Sequence, residues 1–459
     1  MSNPSIKTNQ NARAVLMRFR ELYLETYEAE ETDMPECVLA SYVANRFPMP
    51  PVWLLVVGAP SSGKTTALEL ISDLPQVVSV STITVAALLS GSPNRDKNKD
   101  STGGILRVIG ENGVMVFKDF TSTLSMRSDK QLEVMSALRE IHDGSWTRWF
   151  GTDFGKSEVW KGKAGVIGAV TQIIDQRHAA MATMGERFLY FRIPANREQS
   201  VRIARRALGD ETSRARNTRE LKKLIKSIND LAEIPDGSMV LPEEFKDMLI
   251  TLSCMVSRCR TGIDRNSYNR EIESVPFPEE PARLIKQLLT LFYGLLEIGN
   301  TAQEAWLKVM RVGFSSIPEL RLKAIRVLRK PPQAYKTSEI AKECNSPTTT
   351  TERALEDLSY LDLVNCSKLQ SSKLWALTEE AGELLDGVEC DFQMDECSDG
   401  IVIPQVENSP DLTEIDLYKE DAKTEGIFRV SPTRSTQEAL CMLSRTDKKE
   451  HAKGVAKAV

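Results

Sequence analysis

The sequence predicts an α/β fold in which a parallel sheet is followed by a largely helical region. Short apolar runs alternate with helical patterns between residues 52 and 193, and such alternation is typical of parallel sheets. A glycine-rich loop separates the first apolar run from the helix that follows it. The helical region is predicted because no strong strand pattern occurs between residues 196 and 313.

The predicted sheet region, residues 49–195, follows an N-terminal helical segment, residues 1–48. That segment begins with a largely polar stretch, residues 1–10, and contains one amphipathic helix at 12–30. The predicted strands are 52–57, 77–80, 113–117, 164–170 and 188–193. The helices predicted between them are 66–72, 82–89, 128–142 and 175–184, and a β-hairpin is predicted at 145–163.

Three further regions follow the predicted sheet. The helical region, residues 196–316, has predicted helices at 201–208, 220–234, 243–258, 282–298 and 302–312. Residues 317–382 have predicted helices at 320–329, 337–343 and 348–361, then a polar hairpin at 363–377 with Ser371 and Ser372 at its turn. This is the pattern of a winged helix-turn-helix. Residues 383–459 form an acidic tail without periodicity, which predicts disorder.

Charge is distributed unevenly along the 459 residues, whose net charge is −5. Residues 383–425 contain fourteen acidic residues and two lysines, whereas residues 426–459 contain seven bases and three acids. The remaining body of the chain is therefore mildly basic. That charge permits binding to nucleic acid without demonstrating it.

Cysteine usage and hydropathy favour a cytoplasmic protein. The eight cysteines form no C-x-x-C pair and only three histidines are present, so reduced thiols are expected in place of zinc sites or disulfides. No apolar run reaches the roughly 18 residues of a membrane helix, and the N-terminus lacks the features of a signal peptide. No membrane partner is expected.

The loop at residues 58–65 reads G-A-P-S-S-G-K-T and fits the phosphate-binding P-loop. A buried strand, this loop and a helix together point backbone N–H groups and a helix N-terminus at phosphates. Lys64 is predicted to reach the β- and γ-phosphates of ATP, and the Thr65 hydroxyl is predicted to ligate Mg²⁺. The predicted nucleotide-binding residues are Gly58, Pro60, Ser61, Ser62, Gly63, Lys64, Thr65 and Thr66.

A second magnesium ligand is predicted at Asp119, which follows the third apolar strand. A P-loop ATPase needs an acid at the end of a neighbouring strand to hold the water shell of Mg²⁺. Asp119 lies 54 residues after Thr65, and this spacing leaves room for one intervening strand and helix. The predicted metal ligands are therefore Thr65 and Asp119.

With these motifs in this order, roughly residues 50–300 resemble an AAA+ ATPase. The hairpin that precedes the fourth strand is similar to that of minichromosome-maintenance-type helicases, and the K-D-F-T segment at 118–121 resembles phage and integrative-element ATP-binding proteins. The resemblance implies that Thr171 is the "sensor 1" residue that orients the attacking water. It also implies that Arg187 is an arginine finger for the next subunit's site, and that Arg283 is the "sensor 2" arginine of a helical lid.

One position departs from the AAA+ pattern. Most AAA+ enzymes follow the acid of the third strand with a glutamate that polarises water, but this chain has Phe120 there. Glu140, on the next predicted helix, is the candidate substitute. Without a substitute, hydrolysis is expected to be slow.

Two segments are candidates for contact with DNA. The hairpin segment at 146–156, followed by Lys161 and Lys163, combines bases with aromatic residues, a combination that suits phosphate contact and base stacking. The alternative is that the hairpin packs its tryptophans beneath the domain. The second candidate is the start of the third helix of the winged helix-turn-helix, with Ser346, Thr348, Thr349, Thr350, Thr351 and Arg353. This unit, like the acidic tail, is also a candidate for binding a protein partner.

The sequence therefore predicts a magnesium-dependent ATPase that acts on DNA as a ring or helical homo-oligomer, like helicase-like proteins of mobile elements. The alternative, favoured by Phe120, is a non-motor regulator or loader that assembles with ATP and recruits a partner to DNA. A small-molecule P-loop kinase is disfavoured by Arg187, the helical region and the winged helix-turn-helix pattern.

Overall fold

A computed structural model describes residues 8–387, with gaps at 91–102, 150–156, 179–180, 182–184, 195–196, 236–240, 267, 269–270, 275–276 and 370–371. The strands are β1 (Trp53–Val57), β2 (Val77–Val80), β3 (Asn112–Phe117), β4 (Ser145–Trp149), β5 (Ser157–Lys161), β6 (Lys163–Val170), β7 (Leu189–Arg192), β8 (Asp264–Arg265), β9 (Ile272–Ser274), β10 (Ala334–Lys336), β11 (Val364–Leu369) and β12 (Ser372–Leu377).

The helices of the first half are α1 (Gln10–Tyr27), α2 (Asp33–Ala44), α3 (Lys64–Leu70), α4 (Val85–Leu88), α5 (Ile105–Ile109), α6 (Thr121–Leu124), α7 (Ser128–His142) and α8 (Ile173–Gln176). Those of the second half are α9 (Arg197–Ala207), α10 (Glu211–Leu231), α11 (Glu243–Arg260), α12 (Ala282–Glu297), α13 (Ala302–Ser315), α14 (Glu319–Arg329), α15 (Thr337–Glu343), α16 (Thr348–Tyr360) and α17 (Glu379–Gly387).

Five strands form a parallel sheet in the order β2-β3-β6-β1-β7, which confirms the predicted α/β fold. β1 is buried along its whole length, which explains its continuous apolar sequence. The parallel strands share a carboxyl edge, marked by Val57, Phe117 and Val170, and an amino edge, marked by Trp53 and Leu189. Ligands of such sheets bind at the carboxyl edge.

Apolar side chains form two cores, one on each face of this sheet. The smaller core includes Trp53, Phe120 and Leu138. The larger core continues without interruption from Leu16 to Leu385, through the N-terminal helices, the helical region and the C-terminal unit. The divisions predicted at residues 195 and 316 therefore do not separate independent hydrophobic cores.

The helix α2 was not predicted, because it is buried on nearly every side and has no amphipathic period. An ion network joins it to the neighbouring helices. The fully buried Glu36 accepts from Arg20 Nε at 2.7 Å and pairs with Lys308 Nζ at 3.3 Å. A buried carboxylate is tolerated only when it is paired in this way.

The C-terminal unit has the element order α14-β10-α15-α16-β11-β12, with an antiparallel sheet ordered β10-β12-β11. Its helices agree with the predicted ones to within one residue, whereas the short β10 was not predicted. The expected boundary at residue 382 is wrong, since α17 extends to Gly387 and buries Ala381 and Leu385. The rest of the predicted acidic tail, 388–459, lies outside the described residues, as does Ser371.

None of the helices in the described part of the chain has the length and apolar composition needed to cross a membrane.

Candidate nucleotide site

The P-loop connects β1 to α3 through a tight turn. Two residues of the loop have positive φ angles, Ser61 at 65° and Gly63 at 89°, and Gly63 caps α3. A Cβ atom at Gly58 would lie 2.8 Å from Ser62 Oγ and 3.2 Å from Ile193 Cβ. A larger residue at position 58 would therefore be crowded, and the positive φ at position 63 favours glycine. The resulting loop aims the first turn of α3 at the carboxyl edge.

Lys64 is folded back into the P-loop. Its Nζ donates to the Gly58 carbonyl at 2.8 Å and lies 3.3 Å from Ser62 Oγ, and it also donates to the Ala59 carbonyl. Burial lowers the pKa of Lys64, and the Asp119 carboxylate opposes that shift. The ammonium group is thus held within the loop by carbonyl oxygens that phosphate oxygens can replace.

Thr171 lies next to the P-loop because β6 is the neighbour of β1. Val57 pairs with Val170, and the Gly58 N–H donates to the Val170 carbonyl at 3.2 Å. Adjacent strands are about 4.8 Å apart, so Thr171 lies about one strand spacing from the loop. The structure therefore brings the predicted "sensor 1" position and the P-loop together.

Asp119 lies one strand further along the same edge. The following residue, Phe120, donates its N–H to the Ala169 carbonyl at 2.7 Å. Thr121 then accepts a hydrogen bond from the Thr171 N–H at 3.2 Å through its hydroxyl oxygen. Thr121 thus ties the Asp119 loop to Thr171, a contact that the sequence analysis did not assign.

Thr65 and Asp119 are chemically suited to Mg²⁺. Both are exposed at the carboxyl edge. Asp119 Oδ1 accepts from the Thr121 N–H at 2.9 Å, which fixes the orientation of the carboxylate. Hydroxyl and carboxylate oxygens match the preference of Mg²⁺, which usually binds through few protein ligands, with waters and substrate phosphates completing its shell. Within the described ranges, no three His, Cys, Asp or Glu side chains form a metal-binding group.

Phe120 faces the core and not the phosphate site. Its side chain is fully buried, and its ring centroid lies 5.4 Å from those of both Phe117 and Phe188. This packing explains why an aromatic residue occupies the position. In this backbone geometry, a glutamate side chain at position 120 would likewise be directed into the core.

Glu140 lies at the amino edge, so it does not replace the missing water-polarising glutamate at the P-loop of its own chain. It is exposed in the last turn of α7, and two residues later the His142 ring lies 5.0 Å from Trp53 at the start of β1. The five residues of β1 span about 17 Å at 3.3 Å per residue. Glu140 is thus separated from the phosphate site of its own chain by the length of a strand.

Arg187, the predicted arginine finger, also lies at the amino edge, just before β7. However, the residue is only 5% exposed, and Nη2 donates to Asp143 Oδ2 at 2.8 Å and Oδ1 at 3.1 Å. Burial alone would raise the pKa of Asp143, but hydrogen bonds from Arg187 and His142 lower it. In the single chain, Arg187 is therefore held by an ion pair and is not extended toward a neighbour.

Arg283 lies beside Arg187. Its Nη1 donates to the Gly185 carbonyl and, at 3.0 Å, to Glu279 Oε1. A Cβ atom placed on Gly185 would lie 3.2 Å from Arg283 Nη1 and 3.3 Å from Arg187 Nη1, so the two guanidinium groups converge there. Arg283, the predicted "sensor 2" arginine, therefore lies at the amino edge, opposite the P-loop of its own chain.

Arg206, which belongs to the helical region, reaches the P-loop of the same chain. Its Nη2 donates to Thr66 Oγ1 at 3.2 Å, and its Nη1 lies 3.6 Å from the Cβ position of Gly63. The guanidinium carbon lies 4.5 Å from the centre of the Tyr27 ring, which fixes its direction. Sequence reasoning missed Arg206, because it is one of four arginines in α9 and only packing shows which one faces α3.

We expect Arg206→Ala to weaken ATP binding by about 10-fold or more, since hydrogen bonds to charged groups contribute about 1.5–3 kcal/mol. Arg206→Lys should recover part of the loss, because it keeps the charge. Arg283→Ala is the matched control and should leave the affinity of the isolated chain unchanged. Calorimetric titration of each variant with a non-hydrolysable ATP analogue measures these affinities. Loss of affinity in Arg283→Ala, with none in Arg206→Ala, would reverse the assignment.

No protein-family description matches this chain, and no curated protein does. Among solved structures, the chain is similar to the ORC2 protein of Aeropyrum pernix in its ADPNP–ADP complexes, with 13% sequence identity and a TM-score of 0.24. The aligned part covers 77% of this chain and 91% of that chain. The α/β fold itself is shown by the order of the five parallel strands and by the P-loop between β1 and α3.

The tryptophans of the β4–β5 hairpin differ in exposure. Trp146 and Trp160 pair across the strands and are buried, as the alternative interpretation of the hairpin expected. Trp149, by contrast, is 71% exposed. The stem of the hairpin is therefore anchored, with one aromatic face open to solvent. Its tip, residues 150–156, lies outside the described residues.

Two of the hairpin bases predicted to contact DNA have structural partners. Arg148 Nη1 donates to the carbonyls of Val85, at 3.2 Å, and Leu89. Lys163 Nζ donates to the Phe47 carbonyl at 2.8 Å, and burial lowers the pKa of Lys163 to about 7. These two residues therefore brace the domain, which corrects their assignment as DNA contacts, whereas Lys161 remains exposed.

The helix α16, the third of the predicted winged helix-turn-helix, is partly occupied by contacts within the chain. Thr351 is fully buried and donates to the Pro347 carbonyl at 3.1 Å, so its assignment as a DNA contact is corrected. The acidic middle of the helix is paired: Arg265 binds Asp357 at 2.6 Å, and Lys373 binds Glu352 at 2.7 Å. The side chains of this segment that stay exposed are Thr348, Thr349, Thr350 and Arg353.

Proposed function

We propose that this chain is an ATPase that binds ATP with Mg²⁺ at the carboxyl edge and assembles with further copies of itself on DNA. Hydrolysis would then move or remodel the DNA, as in helicase-like proteins. The observation that carries this proposal is the division of the cationic machinery between two edges of the sheet. Lys64 lies at the carboxyl edge, whereas Arg187 and Arg283 lie at the amino edge, too far away to serve the same nucleotide.

At the carboxyl edge, Lys64 would exchange its carbonyl partners for β- and γ-phosphate oxygens. The N-terminal N–H groups of α3 would donate to the same phosphates. When bound by Thr65 and Asp119, Mg²⁺ would neutralise charge on the phosphate oxygens. Thr171, oriented by its contact with Thr121, would position the attacking water.

At the amino edge, Arg187 would leave Asp143 and approach the γ-phosphate of a neighbouring chain. A phosphate with several negative charges is a stronger partner for guanidinium than one partly exposed carboxylate. Arg283 adds a second positive charge at the same place. A head-to-tail contact between the two edges generates a ring or a helical filament, since each copy presents both surfaces.

A non-motor regulator or loader is the second candidate function, and one observation favours it. Neither Phe120 nor Glu140 presents a carboxylate to the P-loop of its own chain. Binding of ATP without a base in place would give slow turnover, which suits a switch better than a motor.

A mixing experiment tests whether the site is shared between copies. Lys64→Ala and Arg187→Ala should each be inactive alone, the first for lack of a functional P-loop and the second for lack of a finger. In an equimolar mixture, about a quarter of head-to-tail interfaces would pair an intact P-loop with an intact Arg187, so activity should return to about that fraction. Steady-state phosphate release measures the recovery.

The control for this experiment is a mixture of Lys64→Ala with the double variant Lys64→Ala/Arg187→Ala. That mixture contains no intact P-loop and must stay inactive. If the informative mixture also stays inactive, although sedimentation shows that the two variants co-assemble, Arg187 does not act across the interface.

A further inference from the structure

The outer face of α10 carries a row of positive charges that the nucleotide site does not use. We call this row the α10 stripe; its members are Arg216, Arg219, Lys223 and Lys226. They recur at intervals of three or four residues, so they lie along one side of the helix. The opposite side, which includes Leu221, Ile225 and Ile228, is buried.

The α10 stripe is exposed and carries little compensating negative charge. All four side chains are exposed. Lys223 pairs with Glu220 at 3.0 Å, but in the described part of the chain Arg216, Arg219 and Lys226 form no ion pair. The whole helix, Glu211–Leu231, contains six bases and three acids, and two of those acids, Glu211 and Asp230, lie at its ends beyond the stripe. By contrast, the exposed residues of α7 mix both signs, as the Lys130–Glu133 pair shows.

The dimensions of the stripe fit a nucleic-acid backbone. Arg216 and Lys226 are ten residues apart, which is about 15 Å at 1.5 Å per residue. One strand of a duplex has a phosphate every 3.4 Å along the axis, so the stripe has the length of about four phosphates. A single-signed row of this length complements the charge of a phosphodiester chain.

The inner side of α10 is connected to both ends of the P-loop helix α3. Arg214 donates to the carbonyl of Arg206, and Arg206 in turn donates to Thr66 at the start of α3. At the other end, Lys222 Nζ donates to Asp73 Oδ2 at 2.8 Å, just beyond the last turn of α3. A ligand that shifts α10 would therefore shift the surroundings of the P-loop.

We propose that the α10 stripe binds the phosphodiester backbone of a nucleic acid and couples this contact to the P-loop through Arg206. The coupling rests on the proposed ATPase function, whereas the binding does not. DNA and RNA share the backbone chemistry that the stripe recognises. This surface is separate from the hairpin and the winged helix-turn-helix unit, because it belongs to a helix that packs on α1 and α3.

Binding is tested with the full chain and no nucleotide, so that a failure of the ATPase proposal leaves the result interpretable. Fluorescence anisotropy would be measured with single-stranded DNA, duplex DNA and RNA of equal length, over a range of salt concentrations. The test variant is Arg216→Glu/Arg219→Glu/Lys226→Glu. The matched control, Lys130→Glu/Lys246→Glu/Lys323→Glu, makes the same charge change on α7, α11 and α14.

Each phosphate contact contributes about 0.7–0.9 to the slope of log affinity against log salt, so the α10 variant should lose about 2–3 from that slope. Its affinity at low salt should fall by about 10-fold or more, while the control stays near wild type. The oligonucleotide with the greatest loss identifies which nucleic acid the stripe prefers. Should the charge reversal fail to fold, the glutamine triple variant Arg216→Gln/Arg219→Gln/Lys226→Gln removes the charge with less perturbation.

Two results would overturn the proposal. In the first, the α10 variant and the control bind every oligonucleotide alike. In the second, polyglutamate of similar length binds as tightly as the nucleic acids and is lost in the same variant, which would make the stripe a surface for acidic protein. Lys64→Ala should bind nucleic acid like wild type, which separates this test from that of the ATPase.

Discussion

We expect Lys64→Ala to lower ATP turnover by at least about 10²–10³-fold, the effect of removing one preorganised donor from developing charge. The ammonium group is the cation that the P-loop holds, and its hydrogen bonds go to carbonyl and hydroxyl oxygens of the loop itself. The variant should therefore fold normally. Steady-state phosphate release gives the turnover, and circular dichroism with thermal melting checks the fold.

Lys130→Ala is the control for this loss, since it removes the same side chain from an exposed position on α7. It should turn over ATP like wild type. If Lys64→Ala kept wild-type turnover while remaining folded, the P-loop would not be the site of hydrolysis. The assignment of Thr65 and Asp119 as Mg²⁺ ligands would then also be wrong.

The variant Phe120→Glu introduces the glutamate that the resemblance to AAA+ enzymes would lead one to expect at this position. It should destabilise the protein and should not speed hydrolysis. The side chain lies between Phe117 and Phe188 with no exposed surface, so a carboxylate there would be buried without a partner. Such a change costs about 4 kcal/mol or more of unfolding free energy. Urea unfolding of the variant measures this loss.

Phe120→Leu provides the comparison, because it keeps an apolar side chain and should cost much less. The two variants separate burial of charge from loss of volume. A Phe120→Glu protein that is as stable as wild type and hydrolyses ATP faster would mean that position 120 faces the phosphates, contrary to the packing described above.

The carboxyl edge could be predicted from sequence because its residues follow local rules. The P-loop is a contiguous motif, and Asp119 and Thr171 each follow an apolar strand. Parallel strands necessarily bring such residues to one edge. The limits of α7 were also predicted correctly, since Ser128–His142 has a clear helical period.

The amino edge could not be predicted in the same way. Whether Glu140 faces the P-loop depends on which end of α7 approaches the carboxyl edge, and helical periodicity does not show this. Arg283 and Arg206 are both arginines of the helical region, and only the packing of Arg206 on Tyr27 distinguishes them. In the hairpin, Trp146 and Trp149 lie on opposite faces of β4 because successive side chains alternate, and sequence alone leaves open which face is buried.

We propose that hydrolysis at the P-loop moves or remodels DNA, and the decisive measurement is ATP turnover of the full chain with and without DNA. Both rates are measured at a protein concentration at which the chain assembles. We expect DNA to raise ATP turnover severalfold and Lys64→Ala to abolish the stimulated rate. Equal turnover in both conditions, with DNA shown to be bound, would contradict the claim and favour the regulator.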